Sequence, residues 1–295
     1  MKNYLGVVLI LGAAAMSPNE CLSGPLEVQV IPTTATSMYA NVALIKGEKK
    51  AVLVDVPFSR ADAHRVVADI LDSGKALETI VITHDHPDHF FGLDVLTDAF
   101  PAAKVVAHPL VAADMQRSIP IKFKRWSPML GMNAPQRQVV PSAVTGDAIA
   151  LEGHALKIIG PMQGDHLHAT AIWDPETKTL IAGDLVYNGV YAWLGEHREP
   201  QYQGWLASLD VLQAMRPARI VAGHTRPGLP DDSYSIDWTR QYIVAFRKAA
   251  TESKTSKELG DRIHGLYPNA VDVAGGFLVG VSSQVGVGEI PPWNE

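Results

Sequence analysis

Short apolar runs and helical patterns alternate along the first half of the chain. The segments MYANVALIKG and KAVLVDVP are rich in aliphatic residues and flank a turn at Gly47, so they predict a β-hairpin. From Arg60 to Leu71 apolar residues recur at helical spacing, and Gly74 follows as a stop signal. ETIVIT then predicts a buried strand that runs directly into HDHPDHFFG. This order indicates an α/β domain with a polar strand-to-helix loop.

Predicted strands dominate the second half, where AIALEG, ALKIIGP, ATAIWDP, KTLIAGD and ARIVAGH are punctuated by Gly and Pro. A C-terminal helical segment is predicted at about 233–266, and the Gly-rich end carries no assignment. The stretch from Ile119 to Pro141 has no clear period and mixes apolar with basic residues. It predicts an irregular lid over a ligand site, with a solvated amphipathic helix as the alternative. We place residues 25–295 in one domain.

Composition narrows the class of protein. A chain of 295 residues that is 47% hydrophobic fits one large domain. The net charge of -6, without a basic stripe, disfavours nucleic acid as a partner. The single cysteine, Cys21, excludes an intramolecular disulfide.

The N-terminus predicts a location outside the cytoplasm. Residues 1–15 read as a signal peptide, with Lys2 before an apolar run from Leu5 to Ala15. This run is shorter than the roughly 20 residues that a membrane-spanning helix needs, so we expect no stable membrane anchor. The predicted location is periplasmic or secreted. A buried N-terminal helix and a lipid-modified Cys21 are the alternatives.

The strongest chemical signal is Thr83-His84-Asp85-His86-Pro87-Asp88-His89. Alternate residues of an extended turn point the same way, so His84 and His86 can bind one cation together. Asp88 and His89 would then turn towards a neighbouring cation. Imidazole and carboxylate ligands suit zinc, with iron or manganese as substitutes. A solvated polar loop is the alternative.

Three later loops at predicted strand ends offer further ligands. GDHLHATAIW presents His166 and His168, LIAGDLVYN presents Asp184, and IVAGHTRPG presents His224. Alone, each would be read as a hydrogen-bonded turn residue. Together with the first cluster they indicate one metal centre.

The set THDHPDH, a later His, AGD and AGH resembles the metallo-β-lactamase superfamily over about Ile31 to Pro227. The resemblance implies an αββα sandwich with two zinc ions per chain at one edge of its inner sheets. It implies that one zinc is bound by His84, His86 and His166, the other by Asp88, His89 and His224, with Asp184 bridging them.

The third ligand of the first zinc is a choice between two residues. Family members usually show Gly-His before this loop, whereas here Gly164 is followed by Asp165. His166 is the predicted ligand, because His168 would leave an unusually short loop before the next strand. His168 stays the alternative.

The resemblance also implies a mechanism. Two zinc ions can lower the pKa of a shared water to about 7, so the predicted nucleophile is a metal-bridging hydroxide. Asp88 is predicted to orient it and to pass its proton to the leaving group. Tyr187 resembles a Tyr that contacts the substrate carbonyl in quorum-quenching lactonases of the superfamily, with core packing as the alternative. Asp55 is either an outer acceptor or a cap before Pro57.

The predicted reaction is hydrolysis of an ester, lactone, thioester or amide carbonyl in a small-molecule substrate. An Asp at position 184 resembles lactonases, glyoxalase-type thioesterases and phosphodiesterases more than lactamases, so a β-lactamase or a phosphodiesterase is an alternative. A metal-dependent oxidoreductase of the same fold and a non-catalytic zinc-binding protein are others. The sequence alone does not reveal the oligomeric state.

Overall fold

The computed structural model describes residues 24–293. The predicted signal peptide, residues 1–15, and Cys21 lie outside the described residues, so the periplasmic or secreted location stays a prediction. Within residues 24–293, no helix combines the length and the apolar character that crossing a membrane requires.

Two β-sheets form the centre of the described chain. The first contains β1 (Glu27–Pro32), β2 (Asn41–Lys46), β3 (Lys50–Val54), β4 (Ala76–Ile82), β5 (Lys104–Ala107) and β6 (Ser142–Ala143) in sequential order. The second contains β7 (Ala148–Leu151), β8 (His154–Met162), β9 (Ala169–Asp174) and β10 (Thr179–Ile181). A short pair follows, β11 (Tyr187–Asn188) with β13 (His224–Thr225), and β12 (Arg219–Val221) pairs with β10 at the edge of the second sheet.

The central strands β2, β3, β4 and β9 are buried on both faces, because each sheet lies between the other sheet and a layer of helices. In β3, Val52 and Val54 point to the second sheet, whereas Ala51 and Leu53 belong to the larger core. The layer between the sheets is built from such alternate residues: Ala43, Ile45, Val52, Val54, Val81, Ile149, Leu151, Leu156, Ile158, Ile172, Ile181 and Val221.

Helices complete the predicted αββα sandwich. The first, α1, begins where the Ser59 side chain accepts a hydrogen bond from Asp62 N, and it buries Ala63, Val66 and Ile70 against the sheet core. The helices are α1 (Arg60–Asp72), α2 (Leu93–Ala99), α3 (Pro109–Leu130), α4 (Glu199–Ala214), α5 (Tyr234–Glu252), α6 (Ser256–Leu266) and α7 (Phe277–Val287).

The prediction of an irregular segment is wrong for residues 119–130, because α3 continues through Leu130 with Pro120 and Pro128 inside it, whereas a role of this segment over a ligand site stays a prediction. Its buried stripe includes Ile119 and Lys122. The Lys122 Nζ lies 3.0 Å from Asp85 Oδ1 in a buried ion pair, so this cation does not face a ligand.

The C-terminal part also differs in detail from the predicted helical segment. It forms two helices, α5 and α6, separated at Ser253, whose backbone is extended. The unassigned Gly-rich end contains α7, which begins after Gly276 in a left-handed conformation.

Candidate metal centre

Polar residues that follow the ends of four strands meet at one edge of the two sheets. Asp55 follows β3 and His84 lies just beyond β4, which runs parallel to β3. Asp184 follows β10, and His224 follows β12, which is parallel to β10. Because the carboxyl ends of parallel strands share one edge, strands distant in sequence deliver their side chains to one place.

The glycines of the AGD and AGH segments allow this close approach. A Cβ on Gly223 would lie 1.8 Å from Asp184 Oδ1. Gly183 has a φ of +51°, and a Cβ there would lie 2.7 Å from Thr83 Oγ1. Larger residues at either position would displace Asp184 or the strand beside it.

One half of the centre contains Asp88, His89 and His224. The His224 Nε2 lies 3.3 Å from Asp88 Oδ2 and 3.2 Å from Asp184 Oδ2. The His89 Nε2 lies 3.1 Å from Asp184 Oδ1. All four side chains are buried, and the atoms of Asp88, His89 and His224 are close enough to share one ion.

The other half contains His84, His86, Asp165 and Asp184. His86 Nδ1 lies 3.0 Å from Asp165 Oδ2, and His84 Nε2 lies 3.8 Å from Asp165 Oδ1. His84 Nε2 is also 3.9 Å from Asp184 Oδ2. Candidate ligand atoms from these four residues all lie within 4.8 Å of one another.

The structure places neither His166 nor His168 in the group around His84, but candidate ligand atoms of His166, His86 and Glu196 also lie within 4.8 Å of one another. The His166 Nδ1 lies 3.0 Å from Glu196 Oε2, on the outer side of His86. The His168 Nδ1 lies 2.7 Å from Asp114 Oδ2. Asp165 lies beside His84, where the resemblance predicts His166, and the role of His166 as a metal ligand stays a prediction. The loop directs the carboxylate inwards and the adjacent imidazole outwards.

An acceptor outside the centre fixes the second nitrogen of each inner histidine. Such contacts set the tautomer and leave the other nitrogen free to bind a metal. Glu196 was not predicted, whereas Asp55 has the outer role that the sequence left open. The pairs are His84 Nδ1 with Thr83 Oγ1 at 3.0 Å, His86 Nε2 with Glu196 Oε1 at 2.8 Å, His89 Nδ1 with Asp55 Oδ2 at 3.0 Å, and His224 Nδ1 with Met38 O at 2.8 Å.

Burial and close spacing shift the pKa values of the ionisable side chains in the candidate metal centre. Burial lowers the pKa of His84 well below its usual value, and the neighbouring His89 adds to this effect. Burial raises the pKa of Asp165 to about 7, with the Asp184 carboxylate adding to the rise and His86 opposing it. Burial opposes protonation of His89 and His224, but the neighbouring Asp184 carboxylate raises the pKa of both above the usual value, so a cation that binds here would displace protons from these imidazoles.

Two buried atoms show that these residues fit a metal. Among the described residues, His84 Nε2 and Asp165 Oδ1 have no hydrogen-bond partner, although both are fully enclosed. Buried polar atoms are normally paired, and a cation between these two would pair them. Nitrogen and oxygen donors of this kind suit zinc and other first-row divalent ions.

Tyr187 lies behind the carboxylates. Its hydroxyl is 2.6 Å from Asp184 Oδ2 and 2.8 Å from Asp165 Oδ2, and its ring stacks on His224. Because the hydroxyl is already held by two carboxylates, this geometry favours a positioning role over the predicted contact with a substrate carbonyl.

A pocket with an apolar wall opens onto the centre. Asp88, Asp184 and His224 lie at its base. The Phe277 ring centroid is 5.6 Å from that of Trp193, against which it stacks, and 5.4 Å from that of Trp126. The remaining apolar lining is Met38, Pro87, Leu278 and Trp293.

Comparison with known proteins agrees with this arrangement. The family model described as the metallo-beta-lactamase superfamily matches residues 35–224, which span the strand ends that build the centre. The chain therefore belongs to the metallo-beta-lactamase superfamily, and the predicted family and αββα fold are confirmed. It has the hydrolase-type fold of that superfamily.

Individual relatives are distant. The protein YobT of Bacillus subtilis is 25% identical over 62% of this chain and 82% of its own length. A hydroxyacylglutathione hydrolase of Alkalilimnicola ehrlichii is 29% identical over 67% of this chain, but the match spans only 65% of that enzyme. The crystal structure of a metallo-beta-lactamase family protein, TTHA1429 of Thermus thermophilus, has a TM-score of 0.64 at 22% identity over 89% of this chain and 91% of its own.

Proposed function

We propose that this protein is a binuclear zinc hydrolase that cleaves an ester, lactone or thioester of a small molecule with an apolar acyl part. The proposal rests on one observation. Buried imidazoles and carboxylates lie together at the sheet edge, and several of their buried nitrogen and oxygen atoms have no hydrogen-bond partner among the described residues. When bound, the metal pair would supply Lewis acidity and an activated water at neutral pH. The hydroxyacylglutathione hydrolase among its relatives supports hydrolysis as the reaction.

Three carboxylates of this chain have different roles in the proposed reaction. Asp88 lies at the base of the pocket, where its carboxylate can take the proton of the attacking water and pass it to the leaving group. Asp55 and Glu196 hold the outer nitrogens of His89 and His86 and so orient both rings.

The pocket supports an apolar acyl group rather than an anionic one. Of the described residues that line it, none is Lys or Arg, whereas carboxylates occupy its base. A glutathione thioester carries carboxylate groups, and this lining offers no cationic side chain to bind them. The wall formed by Trp126, Trp193 and Phe277 offers apolar contact instead.

The test compares specificity constants of the zinc-loaded enzyme for alkyl-chain lactones, p-nitrophenyl acyl esters, S-lactoylglutathione and nitrocefin. We expect the lactones or acyl esters to be the best substrates and all hydrolysis to stop after chelation. Trp126→Ala should raise KM for long acyl chains about tenfold, and Met129→Ala, exposed on the same helix, should not. Undiminished hydrolysis by chelated protein free of metal would refute a metal hydrolase, and a preference for S-lactoylglutathione would refute the acyl pocket.

A further inference from the structure

We propose that Asp165, rather than His166, is the third protein ligand of the first metal, so that both metals have the same donor set of two histidines and an aspartate around the shared Asp184. This inference rests on the proposed metal centre but concerns a ligand that departs from the superfamily pattern. It assigns to each metal a distinct trio: His84, His86 and Asp165 for the first, and Asp88, His89 and His224 for the second.

The position of the carboxylate supports this assignment. Asp165 is fully buried, and its Oδ1 has no hydrogen-bond partner among the described residues. The atoms nearest to its two oxygens include His84 Nε2, at 3.8 Å from Oδ1, and His86 Nδ1, at 3.0 Å from Oδ2. Donor atoms bound to one ion at about 2.0–2.2 Å have separations of this order.

The backbone holds Asp165 in this orientation. Its N–H donates to Asp184 O at 3.4 Å, while Gly164 N–H donates to His166 O at 2.9 Å and closes the loop. A Cβ on Gly164 would lie 3.0 Å from the Ala169 Cβ, so a larger residue would push the loop away. The Tyr187 hydroxyl then reaches both Asp165 and Asp184 from behind.

One nitrogen of His166 is engaged elsewhere. Its Nδ1 contacts Glu196 Oε2 at 3.0 Å, whereas its buried Nε2 has no hydrogen-bond partner among the described residues and lies 3.6 Å from Asp114 Oδ2. Glu196 also holds the outer Nε2 of His86. His166 is therefore in the layer that supports His86, and bringing its ring to His84 would require breaking the contact with Glu196.

The experiment measures binding of Zn²⁺ to the full chain, first stripped of metal, by metal analysis and by calorimetry. Wild type should bind two ions. Asp165→Asn should lower the affinity for one of them at least about 100-fold, more than the loss of an outer-layer contact. His166→Gln, the matched change at the neighbouring position, should still bind two ions with affinities within about tenfold of wild type.

The outcomes separate this inference from the proposed function. Wild type without metal would overturn both. Wild type with two ions and His166→Gln with one, or Asp165→Asn with both at unchanged affinity, would overturn only the ligand assignment.

A second measurement needs no variant to remain folded. Histidine ¹⁵N NMR of wild type during Zn²⁺ addition should move one nitrogen each of His84, His86, His89 and His224 into the metal-bound range. The His166 signals should stay outside that range. A metal-bound nitrogen on His166 would overturn the assignment.

Discussion

Asp55→Asn provides a sharp test of the outer layer, because this substitution keeps the size of the side chain and removes one anionic oxygen. Asp55 is 2% exposed. It accepts hydrogen bonds from Thr83 N at 2.8 Å and Thr83 Oγ1 at 2.7 Å, and its Oδ2 lies 3.0 Å from His89 Nδ1. An asparagine can still accept from Thr83 N, and the Thr83 hydroxyl can rotate, so the contact with His89 is the one lost.

The expected size follows from that single contact. A hydrogen bond to a charged group contributes about 1.5–3 kcal/mol, so the metal-free variant should lose that much free energy of unfolding. Loss of an outer acceptor should lower the affinity for one metal about 10–100-fold, equivalent to about 1.4–2.7 kcal/mol. Urea denaturation measures the first quantity, and competition with a chromophoric chelator measures the second.

Asp174→Asn is the matched control. Asp174, the last residue of β9, is also 2% exposed and accepts from Glu176 N at 3.0 Å and Thr177 Oγ1 at 2.6 Å in the turn that follows. Its substitution should reduce stability but leave metal affinity unchanged. The reasoning fails if Asp55→Asn keeps the metal affinity of wild type, or if both variants weaken metal binding equally.

Three further predictions follow from the same structure. Gly223→Ala should lower hydrolysis at least about 100-fold and release metal, because the new Cβ would displace Asp184. The control Gly280→Ala has open space around its Cβ and should do neither. Unchanged metal content in Gly223→Ala would contradict this prediction. Asp184→Asn should lower metal content more than Asp85→Asn, since the Asp85 carboxylate contacts Ser118 and Lys122. Equal losses of metal in the two variants would contradict this orientation of Asp85. Asp62→Ala should reduce stability by about 2 kcal/mol at pH 7. Burial alone would raise the pKa of Asp62, but hydrogen bonds from Ser37, Thr34 and Arg65 lower it. The difference in free energy of unfolding between wild type and Asp62→Ala should therefore become smaller as pH falls below about 4. A difference that stays constant with pH in urea denaturation would contradict this prediction.

The parts of the centre that the sequence predicted are those with a local cause. His84, His86, Asp88 and His89 are adjacent in sequence, so their proximity needs no knowledge of the fold. Asp184 and His224 follow apolar strands, and their shared edge follows from strand direction. The structure brings these residues together, while their role as metal ligands stays a prediction.

The parts that the sequence did not predict depend on side-chain direction and tertiary contact. In the loop before β9, adjacent residues face opposite ways, and spacing alone does not reveal that Asp165 points inwards. The departure from Gly-His at this position was the available signal. Glu196 lies in a segment without a period, so nothing local marked it.

The error in α3 has a different cause. Pro120 and Pro128 disfavour a helix interior, since each lacks a donor and its ring crowds the preceding turn. Nevertheless Val111, Met115, Ser118 and Ile119 form a buried stripe at helical spacing. The tertiary burial of this stripe outweighs the local cost of the prolines.

The central claim is that two metal ions lie at this sheet edge and are bound by these residues. Anomalous diffraction at the zinc edge, from crystals of the zinc-loaded protein, tests it most directly. The account predicts two peaks about 3.5–4 Å apart, one within bonding distance of His84, His86 and Asp165, and the other beside Asp88, His89 and His224. No peak, or a single peak, in fully loaded protein would contradict it.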